Sequence, residues 1–316
     1  MGERLAYVDM VRGLAVLWMI FVQLIDMYCF MGLYGGELYG VIKYLNWTSM
    51  FFIIVGFSVK LMLEKYGVSS FARRSILRGS MFVVIGAFLI WWCGFKVSSI
   101  FGEVIASIGV NLFFLAFFVI VFCKTGKYDF ILFYILAGTM LLLDQIFKLN
   151  EYLNPFWLLS FMFLGFSLAS LRNKKGELIT LVSFGLVFPV VVGNSDCLSR
   201  NVSFWISTSF LTMLMLFLMR HLQKIDSVRR TFSYFGRHAL FFYFFHYFIF
   251  KKLLLVIELE ASLPLMESAF LSLCSILLLI VFEKFRRTRE VLGACSSLKM
   301  RIMNLINRCA CEINVQ

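Results

Sequence analysis

Residues 9–26 read DMVRGLAVLWMIFVQLID, a stretch apolar and long enough to cross a bilayer that nevertheless carries Asp9, Arg12, Gln23 and Asp26. On a helix, all four polar residues fall within about 60° of one another, in a strip about 25 Å long. The membrane interfaces alone would explain charges at the two helix ends, but not the single shared face. Because a carboxylate facing lipid costs about 2.5–3.5 kcal/mol, we predict that the strip faces protein or a water-filled cavity.

The whole chain has the composition of a membrane protein. Hydrophobic residues make up 61% of the 316 positions, charged residues only 15%, and the mean hydropathy is +0.88. Long apolar runs without strict alternation favour helices over a membrane barrel. We predict an all-α polytopic membrane protein with about ten transmembrane helices. The apolar runs that define them are 14–32, 45–62, 80–95, 105–123, 129–147, 155–171, 178–193, 203–220, 239–257 and 265–283.

The positive charges predict the orientation of these helices. With the N-terminus inside, 24 of the 30 Lys and Arg residues fall in inside segments and six in outside loops. This asymmetry is the one that the positive-inside rule requires. We therefore predict cytoplasmic N- and C-termini, a transmembrane domain over 1–284, a basic cytoplasmic tail over 285–316, and a location in the cell membrane. Orientation and anionic lipid head groups account for the net charge of +12, so no nucleic-acid partner is expected.

Short motifs exclude several classes of protein. The eight cysteines form no CxxC pair and have no metal-ligand spacing with the three histidines, so we predict no metal site. The phosphate-loop, dinucleotide-binding, zinc-protease and serine-hydrolase motifs have no match in a suitable context. ATP-driven transport, dinucleotide redox chemistry and zinc proteolysis are therefore not supported.

Four stretches carry a resemblance to a known family. They are DMVRGLA (9–15), WTSMFFIIVGFSVKLML (47–63), EVIASIGVNLFF (103–114) and FGRHALFFYFFH (235–246). In order and spacing they resemble the heparan-α-glucosaminide N-acetyltransferase catalytic-domain family and the related ten-helix membrane O-acyltransferases. The resemblance implies a membrane enzyme that transfers an acyl group, acetyl in the first instance, from acetyl-CoA as co-substrate.

The chain also departs from that family. Eleven residues after the arginine, where the relatives carry histidine or asparagine, stands Gln23, an amide that hydrogen-bonds but is no base near neutral pH. The first outside loop lacks the histidine of the acetyltransferases, and Ala106 and Ser107 replace a Gln-Arg pair. A catalytically inactive member of the fold therefore stays open as an alternative.

Acyl transfer needs a base for the acceptor's proton and a donor for the developing oxyanion. His246 is the candidate base, because it lies deep in an apolar and aromatic segment and histidine ordinarily titrates near neutrality. A histidine satisfied within the helix bundle would look the same in sequence. Asp9 and Asp26 are the other candidate catalytic residues, and Arg12, Gln23, Tyr243 and Arg237 are the candidate substrate-binding residues. Six arginines are expected to form a cationic inner mouth suited to phosphates: Arg73, Arg74, Arg78, Arg229, Arg230 and Arg237.

The sequence thus predicts a membrane acyltransferase that passes an acyl group from acyl-CoA to a sugar or other cell-envelope acceptor. A transporter or flippase, which would line a substrate path with the same polar strip, is the alternative from a different class.

Overall fold

The computed structural model of the protein describes residues 5–28, 47–92, 104–122, 129–147, 155–171, 174–193, 200–246 and 271–281. Within these ranges the chain is helical and no residue belongs to a strand. The helices are α1 (Ala6–Tyr28), α2 (Trp47–Trp92), α3 (Val104–Phe122), α4 (Asp129–Phe147), α5 (Pro155–Ser170), α6 (Lys174–Gly193), α7 (Arg200–Leu222), α8 (Asp226–Arg237), α9 (Ala239–Phe245) and α10 (Leu271–Val281). The predicted all-α class is confirmed for this part of the chain.

Four of the described helices are long and apolar enough to cross a membrane: α1, α2, α3 and α7. Shorter apolar segments lie in α4, α5 and α10. Large apolar side chains also point outward, including Trp91, which is 72% exposed, and Val84, which is 68% exposed. Such a surface is rare in a soluble monomer and indicates a membrane protein. The predicted tail, 285–316, lies outside the described residues.

Helix α2 joins two of the predicted spans, 45–62 and 80–95. The intervening segment is helical except at Gly67, where φ is 73° and ψ is 170°. At 1.5 Å per residue a straight helix of 46 residues would be about 69 Å long, more than twice the hydrocarbon thickness. Glycine tolerates this left-handed φ without the steric cost of a side chain, so α2 consists of two helical segments that meet at Gly67.

The core is built around α1 and α5. Helix α1 packs against α2, α7, α8 and α9, whereas α5 packs against α2, α3 and α4. Nearly every α5 side chain is buried, and its aromatic rings Phe163 and Phe166 contact the ring of Phe133 on α4. Each helix is therefore enclosed by neighbours on several sides.

Glycines allow the closest helix crossings. A Cβ at Gly56 of α2 would overlap the carbonyl oxygen of Met162, and one at Gly165 of α5 would overlap that of Ile53. We call this contact the apolar crossing.

A second glycine pair brings α1 against α8. A Cβ at Gly13 would overlap the carbonyl oxygen of Phe232, and one at Gly236 would overlap that of Asp9. We call this contact the polar crossing, because Arg12 and Arg237 adjoin the two glycines. Three of these four glycines belong to the stretches that carry the family resemblance, so those glycines have a packing role.

Candidate functional site

A cavity of about 440 Å³ lies between α1, α2, α3, α8 and α9. All four stretches that carry the family resemblance contribute to its wall. Arg12 comes from the first, Ser58 from the second, Ile105 from the third and Tyr243 from the fourth. Residues far apart in sequence are thus brought to a single site. Its lining consists of Arg12, Met19, Phe51, Val55, Ser58, Val59, Met62, Ser75, Arg78, Met81, Phe82, Val104, Ile105, Ile108, Leu112, Gly236, Arg237, Ala239, Leu240 and Tyr243.

At one end of the cavity Arg12 is fixed by two neighbours. Its Nη1 donates to Asp9 Oδ1 at 3.1 Å, and its Nη2 donates to Ser58 Oγ at 2.6 Å. The Ser58 hydroxyl in turn donates to the carbonyl oxygen of Ile54 at 2.7 Å. Asp9 is only 5% exposed, and a buried carboxylate is stable where a cation and hydrogen bonds compensate its charge. The arrangement holds the guanidinium of Arg12 at the cavity wall.

The imidazole of His246 is held by Gln23. His246 is completely buried, and its Nε2 lies 2.7 Å from Gln23 Oε1. A carbonyl oxygen only accepts hydrogen bonds, so the neutral ring donates through Nε2–H. This tautomer leaves the lone pair on Nδ1, which is then the atom that can accept a proton. The amide of Gln23 therefore orients the imidazole; its predicted contact with substrate stays a prediction.

Tyr243 connects this pair to the cavity. Its ring meets the imidazole of His246 edge to face, with centroids 4.9 Å apart, and Tyr243 also lines the cavity. Tyr243 and His246 are three residues apart and share a helix face, as their spacing predicts. The histidine thus lies directly behind a cavity-lining residue.

The predicted strip on α1 has two separate polar centres. Arg12 and Gln23 are eleven residues apart, which places them about 17 Å apart along the helix axis. Asp9 lies about 21 Å from Gln23 on the same measure, so it cannot exchange a proton directly with His246. The side chain of Asp26 lies outside the described residues. Asp9, Arg12 and Gln23 all make contacts within the protein, as predicted for a strip that avoids lipid.

A smaller cavity of about 240 Å³ adjoins the arginine end and shares Arg237 with the first. Its wall also includes Asp9, Ser233, Arg229 and Arg230. Of the six arginines predicted to form a cationic mouth, four line a cavity, counting Arg78 in the larger one, and their binding of phosphates stays a prediction. The other two, Arg73 and Arg74, are exposed and line neither cavity, and Arg74 lies over the ring of Tyr66, 4.0 Å from its centroid.

The other two histidines are less enclosed. His221 is exposed, and its Nδ1 lies 2.8 Å from the carbonyl oxygen of Phe217. His238, between α8 and α9, lies against the ring of Tyr234. Within the described ranges, no three His, Cys, Asp or Glu side chains come close enough together to hold a metal ion.

Sequence reasoning missed Ser58 and Ser75 as cavity residues. Ser58 follows the helix-crossing glycine of the second stretch by two positions, so the motif contained the signal. Ser75 lies three residues before Arg78, hence on the same helix face. A search for small polar residues at helical spacing from the arginines would have found it.

No protein-family model matches the chain, and no curated protein matches it.

Proposed function

We propose that this protein is a membrane acyltransferase that passes an acyl group, acetyl in the first instance, from acyl-CoA to a sugar or other cell-envelope acceptor. The observation that carries the proposal is the His246–Gln23 hydrogen bond of 2.7 Å beside the arginine-lined cavity. It holds a base of defined tautomer directly behind Tyr243, which lines the cavity. The likeness of four stretches to the heparan-glucosaminide acetyltransferase family supports the same activity.

In this reaction Nδ1 of His246, which is buried behind Tyr243, takes the proton from the acceptor's hydroxyl or amine through one intervening water. The acceptor atom attacks the carbonyl carbon of the thioester, and the carbonyl electrons move to oxygen. The phenol of Tyr243, which lines the cavity, is placed to donate a hydrogen bond to that oxyanion. When the oxyanion collapses, the carbon–sulfur bond breaks, and the departing thiolate takes the proton from the imidazolium. Gln23 holds Nε2–H throughout and keeps Nδ1 available.

The two polar centres on α1 fit an extended substrate. Arg12 and Arg237, at one end of the cavity, would hold phosphates of the donor. His246, which contacts Gln23 about 17 Å further along α1, would lie near its thioester. A donor that is anionic at one end and reactive at the other would occupy both centres at once.

The proposed topology is ten transmembrane helices with both termini cytoplasmic, in the cell membrane. Two passes of α2 joined at Gly67 are consistent with it, because a single pass cannot use 46 residues. Reporter fusions after residues 70, 125, 175, 230 and 300 are expected to read cytoplasmic, and those after 38, 99, 150, 197 and 260 external. One loop on the wrong side would overturn both the count and the orientation.

The enzymatic proposal is tested with purified protein, radiolabelled acetyl-CoA and envelope sugars, by following CoA release and labelled product. We expect His246→Ala to lower the transfer rate by about 10²–10⁴-fold, the usual effect of removing a positioned acid–base group. His246→Gln keeps hydrogen-bonding capacity but provides no base, so its rate should also stay low.

His238→Asn is the matched control, because His238 lies outside the Gln23 pair and asparagine is the usual residue of the related family at this position. It should leave the rate within about twofold of the unmodified protein. Near-normal transfer in both His246 variants would reduce His246 to a structural residue. An absence of transfer by the unmodified protein would favour an inactive member of the fold.

One observation favours a transporter as a second candidate. The cavity between α1, α2, α3, α8 and α9 has the charged side chains of Arg12, Arg78 and Arg237 in its wall, and a substrate path through a helix bundle is lined in this way. Uptake or flipping of a labelled substrate by proteoliposomes, without CoA release, would identify this activity. The His246 variants separate the two candidates, since only covalent transfer requires the base at that position.

A further inference from the structure

Two arginines at one end of the 440 Å³ cavity have no carboxylate partner among the described residues. Arg78 of α2 donates to the sulfur of Met62 at 3.4 Å, a weak acceptor, and Arg237 donates through Nε to the carbonyl oxygen of Ser233 at 3.2 Å. Arg12, at the same end, shares its charge with Asp9. Arg78 and Arg237 are both exposed and both line the cavity, so its wall contributes two guanidinium groups that no carboxylate of the described residues neutralises.

A buried hydroxyl lies at the same end. Ser75 lines the cavity, is 1% exposed, and its Oγ has no hydrogen-bond partner within the described part of the chain. A buried hydroxyl without a partner is unfavourable and calls for a ligand or water to satisfy it. Because Ser75 precedes Arg78 by three positions on one helix, both side chains can address a single bound group. The unsatisfied hydroxyl is an observation independent of the charges, and it belongs to the wall of the same cavity.

The rest of the cavity wall is largely apolar. Val55, Val59, Phe82, Ile108 and Leu240 all line it. The distance from Arg12 to Met19, which both belong to the wall, is about 10 Å along α1. A ligand that fills this space therefore has an anionic end and an apolar portion.

We propose that Ser75, Arg78 and Arg237 bind the phosphate group of an amphiphilic ligand whose apolar portion extends along the cavity towards Tyr243. A phosphate offers several acceptor oxygens, enough to serve two planar guanidinium groups and one hydroxyl together. A phospholipid head group and a soluble phosphate ester share this chemistry. The site shares Arg237 with the donor site proposed above, but phosphate binding requires no acyl transfer and is measured separately from it.

The test measures binding of hexyl phosphate to the purified full-length protein in an uncharged detergent, from the concentration dependence of its thermal unfolding temperature. Inorganic phosphate and hexanol measure the two halves of the probe alone. Because each buried methylene is favourable, hexyl phosphate should bind about 100-fold or more tightly than inorganic phosphate. Hexanol should give no saturable shift.

Arg78→Gln and Ser75→Ala should each weaken the binding of hexyl phosphate, the first by about 10- to 100-fold and the second by about tenfold. Ser75→Ala keeps all charges, so it reports on the site even if Arg78→Gln fails to fold. Lys65→Gln removes an exposed cation from the same helix, outside both cavities, and should bind as the unmodified protein does. Equal binding by all three variants, or no binding to the unmodified protein, would overturn the proposal.

Competition then identifies the source of the phosphate. Displacement of hexyl phosphate by lysophosphatidate at a lower concentration than by CoA would assign the site to a lipid head group. The reverse order would assign it to a soluble phosphate ester.

Discussion

The polar crossing of α1 with α8 and the apolar crossing of α2 with α5 use the same means of close approach. In each, a glycine on either helix lets the backbones meet where any side chain would overlap a carbonyl oxygen. Small residues of this kind let membrane helices pack by backbone contact. The surroundings differ completely, because the polar crossing adjoins Asp9, Arg12 and Arg237 and the apolar crossing adjoins buried phenylalanines.

The glycine motifs at these crossings have two roles. The glycine sets the distance between two backbones, and the neighbouring side chains determine what that distance is used for. At the apolar crossing the use is packing alone. At the polar crossing the same distance holds charged groups beside two cavities.

The largest expected effect concerns the charges of the polar crossing. Arg12→Leu removes a guanidinium that faces the buried carboxylate of Asp9, so we expect the free energy of unfolding to fall by about 3 kcal/mol or more. The double variant Asp9→Asn/Arg12→Gln removes both charges and should be more stable than Arg12→Leu. Thermal unfolding in detergent measures both. A double variant no better than the single would mean that the two charges do not depend on each other.

The next effect distinguishes the glycines themselves. Gly165→Ala places a Cβ against the carbonyl oxygen of Ile53 and should lower the free energy of unfolding by about 1–3 kcal/mol. Gly138→Ala is the control, since a Cβ there meets nothing within 4 Å, and it should be neutral or slightly stabilising. Equal behaviour of the two variants would show that α2 and α5 can separate without cost.

Gly236→Ala tests whether the polar crossing also positions the cavity wall. It should destabilise the protein about as much as Gly165→Ala, by roughly 1–3 kcal/mol. It should also weaken the binding of hexyl phosphate, because Arg237 follows it directly in sequence, whereas Gly165→Ala should leave that binding unchanged. If both variants bind hexyl phosphate normally, the crossing does not position the cavity.

The smallest effect concerns Ser58. Ser58→Ala removes the acceptor that lies 2.6 Å from Nη2 of Arg12 and should cost about 1 kcal/mol of stability. Its effect should nearly vanish in an Arg12→Gln background if the arginine is its main partner. An undiminished effect there would assign the role of Ser58 to its hydrogen bond with Ile54.

The sequence predicted the helical class because hydrophobic runs and their lengths follow directly from the thickness of a bilayer. It also predicted that Asp9, Arg12 and Gln23 avoid lipid, because the energetic cost of exposure is large and local. The partners of these residues could not be predicted, since a periodic pattern fixes the face of a helix and not its neighbour. Gln23 illustrates the difference: its face was predicted, but its hydrogen bond to His246 depends on how α1 and α9 pack.

The helical structure of segment 63–79 could not be predicted from its charges. Its charges suggested a connection between two spans, and the structure continues the helix through it with one interruption at Gly67. Arginine and lysine are good helix formers. A run of positive charges therefore marks the membrane interface but does not show where a helix ends. Because the chain is helical here, Ser75 and Arg78 lie on the same helix face.

The pairing of Gln23 with His246 joins residues 223 positions apart. During synthesis α1 emerges first, whereas Gly236, Arg237 and His246, its partners at the polar crossing and at the imidazole, are made near the end. At about 5–20 residues per second, roughly ten to forty-five seconds separate them. In that interval the polar face of α1 has none of these contacts, and exposing it to lipid is energetically unfavourable. The nascent chain thus needs either a sheltered position beside the insertion machinery or temporary cover from helices made earlier, such as α2 with Ser58.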